Sequence, residues 1–137
     1  MQTGKNIRCV VVTPERTVLD REANLVVVPA FDGEIGILTG HAPTLARLAS
    51  GEMRLSGGPG AASYFVDGGF AQVSDDVVTV LTPRVRTLKE LDPTRLEHEL
   101  SELSLTVESS FSAEGQKLKN DKMNSIRAAL RLAKREK

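Results

Sequence analysis

Ten of the eleven glycines in this 137-residue chain lie before residue 70, and the stretches between them are short and rich in β-branched residues. Glycine and proline break a chain into short segments, and segments of four to seven β-branched residues favour strands over helices. The runs at residues 7–13, 24–28, 34–38, 52–55, 63–66 and 77–81 read as strands. Pro14, Pro29, Gly40, Pro43, Gly51, the cluster Gly57-Gly58-Pro59-Gly60 and Asp67-Gly68-Gly69 punctuate them. Many short strands with glycine-rich turns point to a sandwich or barrel, not to alternating βαβ units. One short segment, 44–48, has helical character.

Beyond Pro83 the pattern changes. A single further proline, Pro93, follows Asp92. Aspartate is a good N-cap, and proline fits the first helical position because its missing N–H would be unsatisfied there anyway. Leu96, Leu100, Leu103 and Val107 then recur at helical spacing, with Glu97, Glu99 and Glu102 off the stripe. A polar break at 108–112 separates this helix from a second one over about 113–135, striped by Met123, Ile126, Leu130 and Ala133. Two narrow stripes joined by a short connection predict an antiparallel helical hairpin that separates easily. The fold class is therefore α+β: a β-sandwich over 1–87 followed by a helical hairpin over 88–137.

Charge follows the same division. Residues 88–116 carry 2 basic and 7 acidic side chains, and residues 117–137 carry 8 basic and 2 acidic, although the whole chain is neutral. Blocks of opposite sign steer and register association, so a protein partner is expected. The basic tail offers phosphate contacts, but Phe111 is the only aromatic residue beyond residue 70, which leaves no platform for base stacking. Nucleic acid is not the expected partner.

Catalytic chemistry finds little support. The two histidines, His41 and His98, and the lone Cys9 form no cluster at metal-ligand spacing. No Gly-x-Ser-x-Gly elbow and no Gly-x-x-x-x-Gly-Lys-Ser/Thr loop occurs. Cys9 alternates with Ile7 and Val11, which predicts a small core residue and not a nucleophile. No stretch approaches the roughly 20 apolar residues of a membrane span, and no basic-then-apolar signal opens the chain. Membrane association is expected only through a partner. Neither a cofactor nor a metal is expected.

The segment Val27-Val28-Pro29-Ala30-Phe31-Asp32-Gly33-Glu34-Ile35-Gly36-Ile37-Leu38-Thr39-Gly40-His41-Ala42-Pro43 closely resembles the signature of the ATP synthase epsilon subunit family. Asp67-Gly68-Gly69-Phe70-Ala71-Gln72-Val73, followed by Val77-Val78-Thr79-Val80-Leu81, resembles the family's second signature, and Val11-Val12-Thr13-Pro14-Glu15 fits as well. Ala30 stands where the family has glycine, and Thr39 where it has proline.

The resemblance implies a non-catalytic subunit of the central stalk. Its sandwich would bind the gamma subunit and the ring of membrane c subunits, coupling proton-driven rotation to ATP synthesis in the catalytic hexamer. By position, Phe31, Asp32, Gly33 and Glu34 would face the c-ring, with His41 either at the rotor interface or stabilising its own turn by a backbone hydrogen bond. Arg127-Ala128-Ala129-Leu130-Arg131-Leu132 matches a family stretch in the last helix. Arg127, Arg131 and Lys134 would meet an acidic loop of the beta subunits and inhibit ATP hydrolysis. The hairpin without a targeting peptide points to a bacterial protein, peripheral on the cytoplasmic face of the inner membrane.

An alternative, a stand-alone nucleotide-sensing module, rests on Asp92 and Arg95. These two residues match the hairpin motif by which some family members bind ATP. Leu96 in place of alanine and Glu102 in place of arginine speak against it.

Overall fold

A computed structural model describes residues 6–58, 61–105 and 113–136. The chain divides into two compact units, Met1–Arg86 and Thr87–Lys137.

The first unit is an eight-stranded, mostly antiparallel β structure: β1 (Ile7–Val12), β2 (Thr17–Ala23), β3 (Leu25–Ala30), β4 (Gly33–Ile37), β5 (Thr44–Ser56), β6 (Ala62–Ser74), β7 (Val77–Leu81) and β8 (Val85–Thr87). The strand order is β2-β1-β7-β6-β5-β3-β4, with β8 also paired to β6. β5 and β6 are 13 residues each and pair in one register from Thr44↔Val73 to Leu55↔Ala62. One end of this ladder continues through β7 and β1 to β2, and β3 and β4 extend from β5. The sandwich closes on side chains from every strand of that path: Ile7, Cys9 and Val11 of β1, Ala23 of β2, Val26 and Val28 of β3, Ile37 of β4, Leu48, Met53 and Leu55 of β5, Val66, Ala71 and Val73 of β6, and Val78 and Val80 of β7. Cys9 is fully buried in this core, and burial pushes its thiol up to about 12. It is a core residue, as its alternation predicts.

Three sequence expectations need correction. Residues 44–48 are strand, not helix: they pair with β6, and alternation sends Leu45 and Arg47 outward while Leu48 enters the core. Asp67-Gly68-Gly69 is not a turn, since it lies inside β6 with φ of +80° and +108° at the two glycines. A Cβ at Gly69 would run into the carbonyl oxygen of Leu81, so glycine lets the two strands approach where the chain bends. The third is an omission. β2 carries Asp20, Arg21 and Glu22, and this charge hides its alternation. As an edge strand it has room for charge and is protected by it, and Arg8 on β1 pairs with Asp20 at 2.7 Å.

The second unit opens with a single 3-10 turn, Leu88–Glu90, in which Glu90 Oε1 accepts from the backbone N–H and the hydroxyl of Thr87 at 2.7 and 2.9 Å. Helices α1 (Pro93–Ser104) and α2 (Ala113–Glu136) follow. Asp92 caps α1 by accepting from the Thr94 N–H at 3.1 Å, and Pro93 takes the first helical position. Lys134, near the end of α2, reaches Glu97 in the first half of α1 at 3.4 Å, so the helices run antiparallel. Among the described residues of this unit, Leu88, Leu91, Leu96, Ala128, Ala129, Leu132 and Ala133 are buried. On α2, Ala133 of the predicted stripe is fully buried, Met123, Ile126 and Leu130 are half-buried, and Ala128, Ala129 and Leu132 beside them are buried as well. Val107 and the predicted break at 108–112 lie outside the described residues.

Gly69→Ala combines left-handed strain with a backbone collision and is expected to cost more than about 2 kcal/mol. Gly68→Ala, with its nearest contact at 3.7 Å, should cost only about 1–2 kcal/mol. Urea midpoints of the two variants check the ranking.

Candidate functional site

Three surface features gather the residues that the sequence singles out. The first is the tip of the β3–β4 hairpin. Ala30 and Gly33 are the last paired residues, leaving Phe31 and Asp32 as the two-residue loop. Gly33, at φ +122°, supplies the backbone conformation that closes it. Phe31 is 60% exposed, and its ring lies 4.3 Å beneath the guanidinium of Arg47 on β5. The Phe31 N–H donates to the Arg47 carbonyl at 3.0 Å, so ring and backbone are held by one residue. Glu34 is gripped by both Nη atoms of Arg54, also on β5, at 2.8 and 3.1 Å. The guanidinium holds the Glu34 carboxyl below the usual carboxylate range, and Glu34 in turn raises Arg54. Arg54 lies 3.4 Å from Glu52 as well.

The second feature is the loop after β4. The His41 ring, through Nδ1–H, donates to the Ala42 carbonyl at 2.8 Å, and the His41 backbone N–H donates to Leu38 at 3.1 Å. Of the two roles open to His41 in the sequence, the local hydrogen bond is the one this geometry supplies. The Gly40 N–H donates to Asp76 Oδ1 at 2.7 Å. Asp76 sits in the β6–β7 turn, where it and Asp75 adopt positive φ. The loop of the first signature is therefore tied to the turn after the second.

The third is a row of outward-facing side chains that sequence reasoning did not find. On β1, β7, β6 and β5 the residues Val12, Leu81, Phe70 and Arg47 stand side by side in register. Phe70 is 48% and Leu81 49% exposed, and Leu45, two residues from Arg47 on the same face, is 71% exposed. Four strands at the usual spacing span about 15 Å, and Phe31 ends the row through its contact with Arg47. Phe70, Leu81 and Leu45 thus place exposed apolar side chains around Arg47 on one face. Strand alternation carried the signal: once 44–48 is read as strand, Leu45, Phe70 and Leu81 must face away from the core.

The helical unit presents the remaining candidates. Asp92 is occupied as a cap, and Arg95 lies 3.8 Å from Glu99 one turn on. His98 lies 3.4 Å from Glu102. Arg127, Arg131 and Lys134 share one face of α2 at i, i+4 and i+7. Lys134 is paired with Glu97, Arg127 is exposed with Asn124 within 3.4 Å, and exposed Arg131 has no ion pair among the described residues. Among the described residues, no group of three His, Cys, Asp or Glu side chains could hold a metal, and no helix is long and apolar enough to cross a membrane.

Comparison with known proteins places the chain among relatives of known name. Residues 6–87 match the family model of the ATP synthase delta/epsilon chain β-sandwich domain. The chain is 48% identical over 129 residues to the ATP synthase epsilon chain of Rhodopirellula baltica, covering 94% of this chain and 99% of that one. It is 39% identical over 89 residues to the sodium ion specific ATP synthase epsilon chain of Propionigenium modestum, covering 65% of each. Among solved structures, a chain of the Euglena gracilis mitochondrial ATP synthase OSCP/F1/c-ring complex superposes with a TM-score of 0.76 at 25% identity, covering 95% of this chain and 84% of that one. A chain of the Tetrahymena thermophila mitochondrial ATP synthase central stalk and c-ring superposes at 0.72 with 12% identity, covering 96% and 99%, a likeness of fold.

The Glu34–Arg54 pair contributes stability only while Glu34 is ionised. Its folded-state value lies below the ordinary 4.5, so the contribution is complete above that pH and is lost as pH falls through the lower value. Both groups are substantially exposed, so Glu34→Gln is expected to cost no more than about 1 kcal/mol at pH 7. The difference in urea midpoint from wild type should vanish in acid.

Proposed function

The chain belongs to the ATP synthase epsilon family, and from that premise we propose that it is a non-catalytic rotor subunit that couples rotation of the c-ring to the catalytic head and restrains ATP hydrolysis through its last helix. The observation that carries the docking part is the exposed apolar row Val12, Leu81, Phe70 with Leu45 and Phe31. A free-standing soluble domain gains nothing from it, whereas an apolar centre excluded from water is what a stable interface requires. The gamma subunit is the partner assigned to this face. The tip Phe31, Asp32, Gly33 and Glu34 is assigned to the c-ring, beside the loop that carries His41.

The regulatory part rests on charge. α2 is basic, and Arg127 and Arg131 are held by no carboxylate among the described residues. An acidic loop on the beta subunits is the complementary surface. Lys134 would join them on leaving Glu97. In this reading the protein reaches the membrane only through the complex, on the cytoplasmic face of a bacterial inner membrane, and takes no cofactor. Stand-alone nucleotide sensing is less well supported, because the Asp92 carboxylate already caps α1.

Two measurements test the assignment. Phe70→Glu with Leu81→Glu is expected to weaken association with a gamma-containing catalytic complex by tenfold or more while leaving the circular dichroism spectrum unchanged. Arg127→Glu with Arg131→Glu should still associate but release inhibition of ATP hydrolysis. Unchanged inhibition would remove the basic face from the mechanism, and micromolar ATP binding by the isolated chain would favour the sensing module.

A further inference from the structure

Asp67 opens the second of the two signature segments, and neither the apolar row nor the basic helix accounts for it. Its side chain is only 19% exposed. Directly across the β5–β6 ladder, the Ser50 hydroxyl donates to Asp67 Oδ1 at 2.8 Å. Oδ2 faces the Arg84 guanidinium at 3.6 Å. The Asp67 backbone N–H donates to the Arg84 carbonyl at 3.1 Å, and the same carbonyl accepts from the Thr82 hydroxyl at 3.3 Å. Asp67 therefore holds Arg84 by main chain and side chain together, while Ser50 holds Asp67. Arg84 stands two residues before the end of the first unit at Arg86. Thr82, just before it, is buried and donates its N–H to the Val12 carbonyl at 3.1 Å. After it, Val85 packs against the core and β8 pairs with β6. Farther on, the Thr87 N–H and hydroxyl turn to Glu90, and the Leu91 N–H turns to Leu88. A strand of 3 residues such as β8 has little stability of its own and belongs to the parts of a fold that open first.

We propose that Asp67 is a clasp that fastens the exit strand β8 to the sandwich, so that the free chain leading into the second unit begins at Thr87 and not at Thr82, and that Ser50 is the positioning residue that keeps the Asp67 carboxylate turned toward Arg84. The clasp sets the length of the tether between the units. Opening it would release residues 82–87 and add about 20 Å of extended chain. A longer flexible tether spreads whatever it carries over a larger volume, so the helical unit would follow the sandwich less closely. The inference goes beyond the assignment of partners to the faces of the molecule, because every bond in the clasp lies within the first unit.

The experiment measures amide hydrogen exchange along the full-length chain, peptide by peptide, in wild type and in Asp67→Ala, Asp67→Asn, Ser50→Ala, Arg84→Gln and the double variant Asp67→Asn with Arg84→Gln. Asp67→Ala removes a hydrogen-bonded carboxylate and is expected to speed exchange in the peptide covering β8 about tenfold. Asp67→Asn keeps an acceptor for Ser50 but loses the attraction for Arg84, so about two- to fivefold is expected. Arg84→Gln should match Asp67→Asn, and the double variant should exchange no faster than either, because the two residues act through one contact. Peptides covering β7 should stay within about twofold of wild type throughout, since they open with the core. Tryptic cleavage after Arg86 should rise in step with exchange. Thermal melts establish that each variant is folded, and Asp67→Asn and Ser50→Ala carry the test if Asp67→Ala does not fold. Unchanged exchange of β8 in both of those variants would overturn the clasp. Equal acceleration of β8 and β7 would overturn it too, by showing that Asp67 supports the sandwich as a whole.

Discussion

Everything in the first unit hangs on the long ladder between β5 and β6. One register holds from Thr44↔Val73 to Leu55↔Ala62, and every other strand attaches directly or indirectly to this pair. A single residue of slip would turn Leu48, Met53 and Leu55 outward and bring Leu45, Arg47 and Arg54 toward the core. The register is thus fixed by burial on one face and by charge on the other. It also shapes the surface, because the same alternation that buries one set of side chains lines up Leu45, Arg47 and Phe70 on the outside. The two arginines that grip the β3–β4 tip both come from β5, so the shape of that tip is set by the ladder as well.

The sequence made some of this legible and concealed the rest, for identifiable reasons. The strand at Ile7–Val12 was readable because its alternation is clean, and Cys9 was correctly placed in the core for the same reason. The cap at Asp92 and the start of α1 were readable because capping is local chemistry. The failures come from non-local partners. Residues 44–48 look weakly helical in isolation and become strand because β6 offers them a full set of hydrogen bonds. Gly68 and Gly69 look like a turn because glycine usually serves that purpose, and only the carbonyl of Leu81 across the strand explains why they sit mid-strand. β2 was hidden by charges that an edge position tolerates.

Site residues divide along the same line. The motif containing Phe31 to Glu34 and His41 is continuous in sequence, so its residues were found together. Arg47 and Arg54, which determine how Phe31 and Glu34 are presented, lie more than ten residues away and carry no motif of their own. Asp76, which accepts from Gly40, is more distant still. On α2 the basic face was visible as a spacing, whereas the pairing of Lys134 with Glu97 required the antiparallel arrangement of the two helices. The apolar row across β1, β7, β6 and β5 depends on four strands and appears only when they are assembled.

The burial of Cys9 has a practical side. It is the only thiol in the chain, it is fully enclosed, and at neutral pH it stays protonated. A folded chain is therefore chemically silent toward maleimides and other thiolate-seeking labels. A cysteine introduced at any exposed position would be the sole attachment point for a fluorophore, a spin label or a bead. The native sequence thus arrives already suited to optical tracking of a turning shaft, with no background cysteine to remove first.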